Sequence, residues 1–209
     1  MAAVVAAGIT SVSAQVFSVN VVGYVQTTVR GGNLYSLIAN PLDAGTNSSI
    51  ATLFTDLPAG STVYKWSGAG FAQFNKNPIN GTFPANASTT TLVPGEGVFV
   101  QSSSVSNVTI TFVGEVQQGI LTNSMPVGFS IISSRVPLAG SVSSLGYTNA
   151  VGGDTIYKWD ATTQGYSQFN FVAIGAGIWS PSEPTLSVGE AVFINKTTAG
   201  AWVRNYVVP

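Results

Sequence analysis

The sequence contains no cysteine and no histidine, and only 7% of its 209 residues are charged. Without cysteine the chain forms no disulfide and offers no thiolate, and without histidine it has no imidazole for acid–base chemistry. Seven basic and eight acidic side chains give a net charge of −1, so there is no basic surface to neutralise nucleic-acid phosphates. We therefore expect no nucleic-acid partner and no cofactor.

Long apolar runs are also missing, although 45% of the residues are apolar. None reaches the roughly 18 residues of a membrane-spanning helix. Residues 1 to 14 resemble the end of a signal peptide, because a short apolar stretch precedes the small-x-small motif Val12-Ser13-Ala14. The first positive charge is Arg30, so the basic start of a signal is missing. The segment is either a truncated signal or no signal. We expect the former and predict a secreted, cell-surface protein.

Two parts of the chain repeat one another. Thr-Val-Tyr-Lys-Trp at residues 62 to 66 returns as Thr-Ile-Tyr-Lys-Trp at 155 to 159. Gly-Glu-Gly-Val-Phe-Val at 95 to 100 returns as Gly-Glu-Ala-Val-Phe-Ile at 189 to 194. The shared order and spacing indicate an internal duplication. The predicted division is a truncated signal peptide at residues 1–14, a first β repeat at 15–116 and a second β repeat at 117–209.

The repeated segments have the alternation of β-strands. Val63 and Lys65 point to one side of a strand, and Tyr64 and Trp66 point to the other. We interpret the Tyr/Trp side as core and Lys65 as facing solvent. Short strands separated by Gly/Pro turns predict an all-β fold of two tandem sandwich-like or barrel-like repeats, in a Greek-key or jelly-roll style. Short helical turns are expected at residues 48 to 54 and 141 to 147.

The ends of the chain raise a question of assembly. Residues 17 to 26 and residues 202 to 208 both resemble residues 108 to 117. We interpret residues 108 to 117 as one continuous strand that closes the first repeat and opens the second. Either the terminal strands pair within one molecule, or the C-terminal strand of one subunit meets the N-terminal strand of the next and forms a head-to-tail homopolymer. The predicted interface residues are Phe17, Val19, Val21, Tyr24, Trp202, Tyr206 and Val208.

Carboxylates give few candidates for chemistry. Glu96 and Glu190 occupy equivalent places and could form a hydrolytic pair, but each follows a turn glycine, which favours a structural role. Asp154 and Asp160 flank the second Tyr-Lys-Trp strand, but without a calcium-loop motif they are better explained as turn residues. We expect no catalytic residues and no metal site.

The aromatic residues allow a second interpretation. They could form a sugar-stacking platform or fill the β core, and their alternation favours the core. Trp179, in a loop-like segment, is the best candidate for exposure. The platform candidates are Trp66, Trp159, Trp179, Trp202, Tyr64, Tyr157 and Tyr166. Asn-x-Ser/Thr glycosylation sequons occur at Asn47, Asn80, Asn86, Asn107 and Asn195. Because the chain is rich in Ser, Thr and Asn, several of these sequons would arise by chance.

Several phrases of the sequence resemble a known group of proteins. They are Val-Asn-Val-Val-Gly-Tyr-Val at 19 to 25, Val-Tyr-Lys-Trp at 63 to 66 and Pro-Gly-Glu-Gly-Val-Phe-Val at 94 to 100. The chain resembles uncharacterised secreted two-repeat β proteins of environmental Gram-negative bacteria. The resemblance implies export and a duplicated β architecture, but no functional residue.

From the low charge and the terminal strands we predict an extracellular structural protein, not an enzyme, that assembles through its terminal strands into a filament or surface layer. The alternative is a monomeric adhesion or carbohydrate-binding module that uses exposed aromatics.

Overall fold

The computed structural model describes residues 21–208, so the predicted signal segment at residues 1 to 14 and the predicted interface residues Phe17 and Val19 lie outside the described residues. The fold is all-β, as predicted, and every strand pair is antiparallel. None of the helices within residues 21–208 has the length and apolar character needed to cross a membrane.

The strands fall into a first and a second half of the chain. The first half contains β1 (Val22–Val29), β2 (Tyr35–Ala39), β3 (Thr62–Trp66), β4 (Phe71–Asn75), β5 (Gly97–Gln101) and β6 (Val108–Glu115), with α1 (Ile50–Leu53) and 3-10 turns at Gly45–Asn47 and Ala85–Ser88. The second half contains β7 (Gly119–Met125), β8 (Gly128–Ile132), β9 (Gly140–Ser141), β10 (Thr155–Asp160), β11 (Gly165–Val172), β12 (Ile178–Ser180), β13 (Thr185–Leu186), β14 (Val192–Lys196) and β15 (Gly200–Tyr206).

The two halves have the same strand order. The first-half sheet runs β2-β5-β3-β4, and the second-half sheet runs β8-β14-β10-β11-β12. Each half adds a two-stranded ribbon, β1–β6 in the first and β7–β15 in the second, and β9 pairs with β13. This correspondence fits the duplication inferred from the sequence. The duplication itself stays an inference.

Only one of the two expected helical turns is a helix. Ser49 precedes α1, and its Oγ accepts a hydrogen bond from the backbone N–H of Thr52, which is a standard N-cap. At residues 141 to 147 the chain instead forms a hydrogen-bonded turn in which Leu145 N–H donates to the Ser141 carbonyl over 2.9 Å. Gly146, at φ +107°, turns the backbone out of a helical path.

The hydrophobic core has three parts. One lies inside the first half and includes Val63 and Phe112, and a second lies inside the second half and includes Ile156. The third lies between the two halves and contains Phe99 and Phe193. The halves are therefore joined by a core of their own and are not independent lobes.

This arrangement corrects the interpretation of the Tyr-Lys-Trp strand. Val63 is fully buried in the first-half core, whereas Tyr64 and Trp66 point to the opposite side and pack in the core between the halves. Lys65 shares the Val63 side, but it is not free in solvent, since its Nζ lies 2.8 Å from Glu96 Oε2. Apolar side chains on both sides of β3 pack against a hydrophobic core, so alternation could not tell which side faced the repeat's own core.

The junction between the halves also differs from the prediction. The expected continuous strand at residues 108 to 117 ends at Glu115, and a separate strand, β7, begins at Gly119, whose φ of +86° redirects the chain. Along its length β6 pairs with β1, and β7 pairs with β15. Each terminal strand of the described chain therefore has a partner within the same molecule.

The predicted interface residues have different environments. Trp202 is 2% exposed, and its Nε1 donates to the Leu145 carbonyl over 2.8 Å, so its side chain belongs to the second-half core. In this arrangement of the chain its side chain is not exposed for a subunit contact, and its role in strand exchange between subunits stays a prediction. Val21, Tyr206 and Val208 are partly buried against the first-half core. Tyr24 is 64% exposed, and a contact between subunits through it stays a prediction.

The close approach of the halves predicts a sensitive glycine. A Cβ built on Gly97 would lie 2.5 Å from Ala191 Cβ and 2.6 Å from Ile131 Cγ2. We expect Gly97→Ala to lower the free energy of unfolding by about 1–3 kcal/mol, because the core between the halves must move apart. Urea unfolding measures this effect. Gly70→Ala, where a Cβ meets nothing within 4 Å, is the control. Equal midpoints for the two variants would contradict the packing described.

Candidate functional site

Aromatic side chains fill the space between the two sheets. Alternation along β3 and β10 directs Tyr64, Trp66, Tyr157 and Trp159 toward the opposite half. The neighbouring strands β2, β4, β5, β8, β11 and β14 contribute the remaining rings. These rings belong to Tyr35, Phe71, Phe99, Phe129, Tyr166 and Phe193.

Reciprocal hydrogen bonds fix the two halves against each other. Trp66 Nε1 donates to the Phe129 carbonyl over 2.9 Å, and Trp159 Nε1 donates to the Tyr35 carbonyl over 3.0 Å. The backbone repeats this symmetry, since Ala39 N–H donates to the Gly189 carbonyl and Ser133 N–H to the Gly95 carbonyl, each over 2.8 Å. The halves are therefore related by an approximate two-fold axis.

The rings around this axis pack edge to face. Phe99 and Trp159 have centroids 5.3 Å apart at 88°, and Trp66 and Phe193 have centroids 5.6 Å apart at 77°. The positive edge of one ring meets the negative face of another in this geometry, which adds about 0.5–1.5 kcal/mol per pair beyond area burial. The indoles are therefore held in fixed positions.

Two aromatic grooves lie open beside this packed centre. One, of about 400 Å³, is lined by Trp66, Phe129, Tyr157, Tyr166 and Phe193. The other, of about 300 Å³, has Trp159, Tyr35, Tyr64, Phe71 and Phe99 in the equivalent places, with Gln73 and Tyr166 added. Tyr166, which lines both grooves, is 48% exposed, so the rings that line the grooves are only partly buried in the core.

Each tryptophan also lines a polar cleft. The Trp159 cleft, of about 530 Å³, is lined by residues that include Thr28, Ser36, Trp159, Asp160, Ser167 and Glu190. The Trp66 cleft, of about 420 Å³, is lined by residues that include Trp66, Ser67, Glu96, Ser124, Ser130 and Arg135. Each tryptophan thus lines both an aromatic groove and a cleft that carries hydroxyl and charged groups.

The two glutamates considered as a hydrolytic pair are each held by their own half. Glu96 pairs with Lys65, and its Oε2 accepts from the backbone N–H of Val93 over 2.9 Å. Glu190 lies 3.1 Å from Lys158 Nζ, and its Oε2 accepts from Ser187 N–H over 2.9 Å. These contacts orient both carboxylates and stabilise the turns before β5 and β14.

The two clefts differ in charge. Asp160 lies exposed at the Trp159 cleft, and hydrogen bonds from the backbone N–H groups of Thr162 and Thr163 hold its pKa below the ordinary value. Ser67 takes the equivalent place in the Trp66 cleft, where Arg135 supplies a guanidinium group instead. Arg135 was not identified from the sequence, because this residue lies outside the phrases that the two halves share.

The other sequence-predicted residues lie away from the clefts. Trp179 is partly buried against Tyr147 and Phe171, with centroids 6.1 Å and 5.2 Å away, so it is not the most exposed aromatic. Asn47, Asn80, Asn86 and Asn107 are exposed, whereas Asn195 is half-buried on β14; glycosylation of any of them stays a prediction.

Asp154 is a buried partner of Lys196 and not a simple turn residue. Both side chains are enclosed in the second half, where Lys196 Nζ bonds Asp154 Oδ2 and Tyr147 OH donates to the same oxygen over 3.0 Å. Burial raises the pKa of Asp154, but bonds from Lys196, Val151 N–H and Thr197 N–H outweigh it, so the pKa lies below its ordinary value. Within residues 21–208, no three or more Asp or Glu cluster into a metal site.

Comparisons add no relative. No protein-family model, curated protein or solved structure matches this chain.

The buried ion pair gives a prediction on stability. The first half has Ser61 and Ser102, both buried, at the places equivalent to Asp154 and Lys196. We expect Lys196→Ser alone to cost about 3–5 kcal/mol, because it leaves a buried carboxylate without its cation. Asp154→Ser combined with Lys196→Ser is expected to cost less. Equal losses in the single and double variants would contradict this.

The same pair predicts a pH dependence. Because the native pKa of Asp154 is lowered, its contribution is complete above the unfolded pKa of about 3.9 and is lost as the pH falls through the native value. Urea midpoints measured between pH 7 and pH 2 should fall more steeply for the wild type than for the double variant. Parallel curves would contradict the assignment.

Proposed function

We propose that this protein is an extracellular glycan-binding module that holds sugar chains in the Trp159 cleft and the Trp66 cleft. The observation that carries the proposal is the place of each indole at the boundary of a polar cleft. A sugar ring has an apolar C–H face surrounded by hydroxyl groups. A matching protein surface therefore needs a flat aromatic ring beside hydrogen-bonding groups.

Preorganisation of the clefts supports the proposal. The indoles are fixed by their bonds to the opposite half, and Glu96 and Glu190 are fixed by ion pairs and turn amides. Binding therefore costs little side-chain entropy. Because both glutamates are neutralised by lysines, we propose binding and not hydrolysis. The cleft volumes are within the range of about 300–1,000 Å³ that is common for ligand sites.

Blocking each cleft with a larger neutral side chain tests this function. Ser167 and Ser124 are exposed at the rims of the Trp159 and Trp66 clefts. Affinity electrophoresis in gels containing a neutral β-glucan, hydroxyethyl cellulose or polygalacturonate should retard the wild type. We expect Ser167→Gln and Ser124→Gln each to reduce the retardation by at least one of these polysaccharides and the double variant to abolish it for all of them, because glutamine fills the space of the sugar.

The control for these variants is Thr46→Gln, which makes the same kind of change at an exposed position outside both clefts. It should migrate like the wild type in every gel. Retardation that persists in the double variant would place binding elsewhere, and mobility unchanged by every polysaccharide would refute glycan binding.

Self-assembly is a second candidate, and the ribbons carry the observation that favours it. The outward face of β1–β6 exposes Val22, Tyr24 and Val113, and Tyr24 lies directly opposite Val113. The outward face of β7–β15 exposes Ile120 and Val203. The exposed Glu115 lies directly opposite Val22, but the chain as a whole is only 7% charged. Such apolar faces favour contact with a second copy, in a filament or surface layer.

A charge placed on the first ribbon tests assembly. In negative-stain electron microscopy of residues 15 to 209 at rising concentration, the wild type should form fibres or sheets. We expect Tyr24→Lys to leave single particles, because it places a cation within an apolar contact. Thr109→Lys, four positions from Val113 on the same outward face, is the control. Single wild-type particles at every concentration would refute assembly.

A further inference from the structure

The Trp66 cleft differs from its counterpart by an arginine without an acidic partner. Within residues 21–208, the ion pairs involve Lys65, Lys158 and Lys196, and none involves Arg135. Glu96, which lines the same cleft, is already paired with Lys65. Of the two charged residues that line the cleft in the described part of the chain, Arg135 is therefore the one without an ion-pair partner.

The contacts of Arg135 orient its guanidinium group without neutralising it. Nε and Nη2 donate to Gln117 Oε1 over 3.1 Å and 2.8 Å, and Nη1 donates to the Thr122 carbonyl over 2.9 Å. Gln117 is itself fixed, because its Nε2 donates to Asp43 Oδ2 over 2.8 Å. All three hydrogen bonds that Arg135 donates go to neutral oxygens.

Within residues 21–208, two N–H donors of Arg135 have no acceptor. A guanidinium group has five N–H bonds, and the contacts above use three of them, which leaves one on Nη1 and one on Nη2. Two parallel N–H donors on a planar cation match the two oxygens of a carboxylate. A lysine at this place would offer charge without that geometry.

The Trp159 cleft has the opposite character. Its lining includes Lys158, which is paired with Glu190, and Asp160, whose carboxylate accepts from the neutral groups of Thr162 and Thr163 in its own turn. The turn after β2 that corresponds to the Arg135 region is Asn40-Pro41-Leu42, without a basic residue. This cleft therefore carries one uncompensated negative charge and repels anions.

We propose that the Trp66 cleft binds an acidic sugar, a uronic acid residue of a polysaccharide, through bidentate contact of Arg135 with its carboxylate. This inference rests on the proposed glycan binding and assigns a sugar class to one of the two clefts. The Trp159 cleft takes neutral sugars. The indole of Trp66 provides the face on which the uronate ring stacks, beside the hydroxyls of Ser67 and Ser130.

The experiment compares an acidic and a neutral polysaccharide with one set of variants. Affinity electrophoresis is run with polygalacturonate, with methyl-esterified polygalacturonate and with a neutral β-glucan, at two salt concentrations. Arg135→Gln should weaken binding to polygalacturonate at least about tenfold, because a charge-assisted pair is lost, and change binding to the β-glucan less than about twofold. Arg135→Lys should recover only part of the loss.

Controls separate this inference from the proposed function. Arg30→Gln changes the net charge equally outside both clefts and should bind like the wild type, and esterification should remove the difference between the wild type and Arg135→Gln. Unchanged polygalacturonate binding in Arg135→Gln, with β-glucan bound, overturns the inference alone. Equal binding of dextran sulfate and polygalacturonate by the wild type overturns it as well. Absence of binding to every polysaccharide overturns both proposals.

Discussion

The packing of each tryptophan against the opposite half is the constraint on which the rest of the structure depends. Each indole donates to a carbonyl at the start of the first strand in the other half's sheet, and each packs edge to face against a central phenylalanine. These contacts set the distance between the sheets and leave room for clefts on both sides of each ring. Without them, the halves would be two small sheets with exposed aromatic faces.

A chain with so few charges uses most of them in defined places. Lys65 with Glu96 and Lys158 with Glu190 stabilise equivalent turns in the two halves, and a third pair is buried in the second-half core. Exposed ion pairs contribute little stability in water, so the value of the first two lies in orienting the cleft walls. Because the glutamates that line the clefts are each neutralised by a lysine, Arg135 and Asp160 determine the local charge of the clefts.

Alternation and turn residues predicted the all-β fold, and the repeated phrases indicated two corresponding segments but no order of strands within them. They could not predict the roles of the strand faces, because Val63 and Trp66 lie on opposite sides of β3 and both sides pack against a hydrophobic core. Likewise, resemblance among the terminal segments did not reveal that Trp202 closes its own core. The clefts arise only when the halves meet, so Trp66 and Arg135 join one site despite their separation in the chain.

Glycan binding in the Trp159 cleft and assembly through Tyr24 would use neighbouring parts of the same ribbon. Gln26 and Thr28 line this cleft, and Gln26 Nε2 donates to Tyr24 OH over 2.9 Å. Two residues of a strand span about 7 Å, so a second copy seated on Tyr24 would lie at the edge of the Trp159 cleft, whereas the lining of the Trp66 cleft includes no residue of β1. Open clefts of this kind would bind single sugars weakly. In an assembled array, many clefts would act on one polysaccharide chain, and effective concentration would raise the overall affinity without new contacts.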